Sequence, residues 1–145
     1  MDENHRMHPD SAAHVQAARD DIAAQIKSYR DLVGAASKAS GMSLTRIDAA
    51  LAAFEPAFFN NLLIALDARF PSPSRAAGKA AGEVRLLAAA LTRNGGVLKA
   101  DADIDYDAGA SVLKLDVGDR ISLNADDFEA LCAAFLEDIE QDPST

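Results

Sequence analysis

Cysteine and histidine are scarce in this 145-residue chain, and where they fall removes whole classes of chemistry. The single cysteine, Cys132, can form no internal disulfide, so a reducing compartment is the expectation. The three histidines, His5, His8 and His14, all fall within the first fourteen residues. That stretch reads as a mobile leader, its first ten residues lying outside the domain, so a Ser-His-Asp or Cys-His relay in the folded body is expected to have no base. A flexible tail also holds metal ligands poorly, and no metal or other cofactor is expected. "MDENHRMHPD" lacks the basic flank and apolar stretch of a signal peptide, and no apolar run is expected to approach the roughly 18 residues a membrane span needs. The expected location is cytoplasmic. "AAGKAAGE" has glycines and a lysine but neither the phosphate-loop spacing nor a preceding strand.

Acid is plentiful. Net charge is −9, and residues 99–145, with three basic against thirteen acidic side chains, carry more than all of it. Such a surface repels nucleic acid and attracts basic proteins or cations. Residues 69–93 lean the other way, with Arg69, Arg75, Lys79, Arg85 and Arg93 against Glu83 alone.

Apolar periodicity predicts three to four helices over residues 11–95. Val15, Ile22, Ile26, Tyr29 and Val33 lay one stripe along the first, from Ala12 to Lys38. "SGMS" at 40–43 breaks it, a short helix follows through Leu44, Ile47 and Leu51, and Pro56 opens another that runs to Phe70. "PSPS" is a loop. A further helix buries Val84, Leu87 and Leu91 and stops at "NGG", residues 94–96.

After Gly96 the period shortens to two. Ala100, Ala102, Ile104 and Tyr106 alternate with Asp101, Asp103, Asp105 and Asp107, the pattern of a half-buried strand with a wet acidic edge. "SVLKLD" and "RISLN", joined at Gly118, read as two more strands. The last helix is expected from Asn124 as cap, with Asp127 three residues on, to about Gln141. Its buried side is Phe128, Leu131, Cys132, Phe135, Leu136 and Ile139. The fold class predicted is α+β in a single domain, 11–141: a helical part, 11–95, and a three-stranded antiparallel meander with a closing amphipathic helix, 96–141.

"FFNNLLIALDARF", "EVRLLAAALTRNGGVL" and "SVLKLDVGDRISLNADDFEALCAAFLEDIE" together resemble an uncharacterised family of small bacterial proteins over residues 56–140. The resemblance implies a shared fold and no assigned activity. The family's polar Lys-Asp-Gly-Asn-Pro stretch is replaced here by "SRAAGKAAG", so a function housed in that loop would not carry over.

Several residues are candidates for a site. The aspartate row fails as an EF-hand loop, because the glycine and glutamate such a loop needs are replaced by Tyr106 and Val112. It stands instead as a solvated face or a docking stripe for a basic partner. Asn60 and Asn61 sit among Phe58, Phe59, Leu62 and Leu63, where an unpaired amide would cost about 1 to 3 kcal/mol, so they bind either neighbouring backbone or a partner. "ASKASGMSLTRIDAAL", residues 36–51, has the outline of a helix-turn-helix whose exposed side would offer Thr45 and Arg46 to DNA, though the overall charge opposes that approach. The reading preferred is a non-enzymatic protein-interaction module that self-associates, with Arg69 and Arg85 set against the acidic Asp101–Asp107 row. A helix-turn-helix regulator is the alternative, and a small enzyme using carboxylates a weaker one.

Overall fold

The computed structural model of the chain describes residues 9–38, 44–71 and 78–141. Four α-helices account for most of them: α1, Pro9–Ser37; α2, Leu44–Arg69; α3, Lys79–Arg93; and α4, Ala125–Gln141. Each helix packs on the next and α4 returns to α1, so the four form a closed ring, with α2 and α4 diagonally opposed. Neighbours run antiparallel: His14 and Asp21 of α1 meet Arg69 of α2, while Arg19 and Arg30 of α1 meet Glu140 and Asp126 of α4.

The apolar stripe of α1 is buried at Val15, Ala18, Ile22, Ile26 and Tyr29, as 3.6-residue periodicity requires. α1 begins at Pro9, inside the span read as leader, and it takes His14 with it: Nε2 lies 2.8 Å from the carbonyl of Arg69. The imidazole also packs on Phe70 at 4.7 Å between ring centroids. α2 corrects a second expectation. It runs unbroken through Pro56 rather than restarting there. A proline inside a helix costs roughly 3 kcal/mol, and packing on either side offsets it: Tyr29, Phe58, Phe59 and Phe128 form one chain of ring contacts, each 4.9 to 6.0 Å apart, that ties α1, α2 and α4 together.

α3 starts at a place its own sequence does not cap. Gly78 has φ 135° and no side chain to offer, and the first amides of the helix, Ala80 and Ala81, donate instead to Asp138 Oδ2 of α4 at 2.9 and 3.2 Å. The other end closes on "NGG". Gly95 and Gly96 take φ 66° and 84°, and the Asn94 and Gly96 amides both donate to Ala90 O, at 3.0 and 2.9 Å, turning the chain back over the last turn of the helix. α4 opens with a reciprocal cap. Asn124 Oδ1 accepts from the Asp127 amide at 2.7 Å, and Asp127 Oδ2 accepts from the Asn124 amide at 3.4 Å.

The meander is absent, so the α+β class is wrong: the described residues hold an all-α, four-helix fold with no strand. Residues 97–124 form an irregular segment whose only ladder contact is an isolated antiparallel bridge between Val97 and Arg120. The reason lies in where its backbone groups go. Glu83, 2% exposed on α3, accepts from two successive amides, Val112 at 2.8 Å and Leu113 at 3.0 Å. Asn60 of α2 accepts from the Leu123 amide at 3.3 Å and donates to Ile121 O at 3.4 Å. Glu55 of α2 accepts from the Ala125 amide at 3.0 Å. Helix side chains thus take the partners that strands would have shared. Within "SVLKLD" the chain also turns at Lys114, whose φ of 58° no strand accommodates.

Candidate functional site

The aspartate row does not lie along one straight edge. Asp101 Oδ1 accepts from the Asp103 amide at 2.8 Å and so closes a turn, and Asp107 Oδ1 accepts from the Gly109 amide at 3.1 Å at the head of the 3-10 turn Ala108–Ala110. All four side chains are exposed, but two of them serve local turn chemistry, which is what aspartate does in turns. Ile104 and Tyr106 point inward; the Tyr106 hydroxyl donates to Leu115 O. No cluster of three or more His, Cys, Asp or Glu fit for a metal ion occurs among the described residues.

The basic candidates are committed within the molecule. Arg69 pairs with Asp21 at 3.0 Å, and Arg85 pairs with Asp67 at 3.0 Å and donates to the carbonyls of Phe70 and Pro71. Within the molecule, then, Arg69 and Arg85 pair with Asp21 and Asp67 and not with the aspartate row. Burial pushes the Asp67 carboxyl above its ordinary value, with Arg85 and Arg93 pulling it partly back. Asn60 binds the 121–123 backbone as described, while Asn61, one position on, is exposed. Arg46 is exposed near the start of α2. Residues 39–43 and the side chain of Thr45 lie outside the described residues, so the turn of the helix-turn-helix outline falls there. Cys132 is buried, and burial, with Glu129 nearby, raises its thiol well above the ordinary range.

At one end the α1/α2 hairpin overhangs the rest. Arg30 reaches Asp126, and Glu55 reaches the Ala125 amide, both at the first turn of α4; the last turns of α1 and the first of α2 therefore run past it. A shallow, open depression of about 360 Å³ marks the step, lined by Tyr29, Arg30, Val33, Glu55, Asn124, Ala125 and Asp126. Its charged groups already have partners: Arg30 pairs with Asp126 at 2.8 Å and Glu129 at 3.1 Å. Burial and then Glu55 raise the Tyr29 phenol.

Sequence reasoning missed the outer face of α2. Phe59, Leu63 and Leu66 point into the core. On the opposite side Ala50, Ala53, Phe54, Ala57, Asn61, Ala65 and Ala68 are exposed and Ile64 is half-buried. From Ala50 to Ala68 this face carries no charged side chain. Phe54 is 44% exposed there, and Leu32, at the matching level of α1, is 50% exposed. Mean hydropathy over 18 residues of this helix reaches 1.5, enough by length and composition alone to cross a membrane. That corrects the expectation of no such stretch. The signal was present in "AALAAFEPAFFNNLLIAL": a helix apolar all round is normally covered on every side. Here only one side is covered.

The chain matches no family model, no curated protein and no solved structure.

Proposed function

We propose that the chain is a non-enzymatic protein-interaction module that self-associates through the outer face of α2. One observation carries the reading: a helix face from Ala50 to Ala68 is uncharged and, but for half-buried Ile64, exposed on a chain whose net charge is −9. Ordinary exposed helix faces carry interspersed charges, and an apolar face left open is a mark of an interaction surface. The other side of α2 favours a folded bundle over a membrane span. Glu55, Asn60 and Asp67 on that helix are each bonded to another part of the chain, and leaving the bundle would forfeit all three. Sedimentation velocity over a hundredfold range of protein concentration tests the proposal. The weight-average mass should rise with concentration; a constant monomer mass up to millimolar protein would overturn it.

A further inference from the structure

Residues 99–117 leave the bundle and return to it at nearly the same point. The Leu98 amide donates to Asp119 O at 2.9 Å and the Gly118 amide to Leu98 O at 2.8 Å, while the Ile121 amide donates to Gly96 O at 2.8 Å. With the Val97–Arg120 bridge, these bonds close a neck whose side chains Leu98 and Ile121 are buried in the core. A loop whose ends meet in this way, and which is filled by its own side chains, holds together without its surroundings. We infer that residues 99–117 form a flap that lifts from α3 as one unit about this neck, with Glu83 as its latch and the four helices still folded beneath it.

The flap is tied more firmly to itself than to the bundle. Inside it, the Ala110 amide donates to Asp107 O at 3.0 Å, the Lys114 amide to Ser111 Oγ at 2.8 Å and Lys114 Nζ to Gly109 O at 2.9 Å. The Tyr106 hydroxyl closes the same body by donating to Leu115 O. Among the described residues, the backbone of the flap is bonded to a helix at one side chain, where the Val112 and Leu113 amides donate to Glu83. Its seat is shallow. Ile104, Tyr106, Val112, Leu113 and Leu115 pack on the core but stay partly exposed, and Ser111 alone of residues 99–117 is buried. Segments with few buried apolar contacts open at a lower free energy than the whole molecule needs to unfold.

The latch and the hinge favour the same motion. Glu83 is 2% exposed, and a carboxylate withdrawn from water depends on the donors that replace it. Lifting returns the carboxylate to water, which offsets part of the loss of two bonds. Gly118, at φ 101°, stands where the flap rejoins the neck and supplies the backbone freedom that a hinge there requires. Beside the latch, Ile104 rests on Gly82 of α3: a β-carbon there would lie 3.1 Å from Ile104 Cγ2.

That contact allows the flap to be locked at one point and read at another. In the variant carrying Gly82→Cys and Ile104→Cys the two sulfurs fall within disulfide reach. Amide hydrogen exchange is followed by NMR in wild type and in the oxidised and reduced variant. In wild type, protection at Val112 and Leu113 should be at least tenfold below that at Leu98 and Ile121. Oxidation should raise it at least tenfold over the reduced variant, although neither residue is next to the lock. Equal protection of flap and neck in wild type would overturn the inference, because the segment would then open as a whole. Equal exchange in the oxidised and reduced variant would show that the two ends of the flap move separately and would overturn it too, as would a folded variant whose two thiols do not join. Should the cysteine pair prevent folding, Glu83→Gln takes its place: protection must fall at Val112 and Leu113 and hold at Leu98 and Ile121, and a fall at all four would overturn the flap.

Discussion

The carboxylate of Asp138 occupies the space that a β-carbon on Gly78 would need. From there it accepts from the first amides of α3. A residue near the end of one helix thus caps the start of another, 58 positions earlier for Ala80. Gly78→Ala should cost at least about 2 kcal/mol, because φ 135° is unfavourable for any L side chain and the cap would be displaced as well. Asp138→Ala should cost about 1 to 2 kcal/mol as a lost cap. The double variant should cost less than the sum, since removing the carboxylate removes the clash. Chemical denaturation of all four proteins checks this; strict additivity would show that the two residues do not meet.

Glu83 is the corresponding anchor for the irregular segment. Glu83→Gln should leave one of the Val112 and Leu113 amides facing a donor, at a cost of roughly 1 to 3 kcal/mol, and Glu83→Ala should cost more. Hydrogen exchange is the specific readout. Protection should fall at Val112 and Leu113 while α1 and α4 keep theirs; unchanged exchange there would mean that the carboxylate does not hold the segment.

These two anchors show what a single sequence can and cannot display. The stripe through Val15, Ile22 and Ile26, the "NGG" stop and the Asn124 and Asp127 pair are local, set by residues within a few positions of one another, and each could be read directly. Glu83 and Asn60 act on backbone some 29 and 61 residues away. Without knowing of them, the alternation from Ala100 to Asp107 pointed to a strand, since alternation is also what a loop shows when Ile104 and Tyr106 anchor it every second residue. The α2 face failed to register for another reason. Its apolar residues lie on every side of the helix, so periodicity alone does not say which side the bundle leaves uncovered.

Asp67 supplies a test in pH. Burial raises its carboxyl above the ordinary value despite Arg85 at 3.0 Å, so the folded protein holds that proton more tightly than the unfolded chain. Asp67 therefore costs stability as pH rises from its unfolded pKa through the raised folded one, and the cost persists above it. Asp67→Asn at neutral pH should lose less than about 1 kcal/mol although the visible ion pair is gone, and should compare less well with wild type as pH falls through the carboxylate range. A loss of several kcal/mol at pH 7 would show that the pair outweighs the burial.

The exposed aspartates predict a negative result with calcium. Asp101 and Asp107 are engaged in turns and the four do not converge, so millimolar calcium should leave the melting temperature unchanged. A clear rise, abolished by Asp101→Asn with Asp103→Asn and Asp105→Asn, would make the row a metal site.

The most direct test of the central claim places one charge in the middle of the α2 face. Ala57 is exposed and glutamate is a good helix former, so Ala57→Glu should keep the wild-type melting temperature to within a few degrees in dilute solution. Sedimentation equilibrium of wild type and variant at matched, high concentration then decides the matter. The wild type should show a mass above the monomer and the variant the monomer alone; a variant that associates as strongly as the wild type would contradict the assignment of α2 as the interaction face.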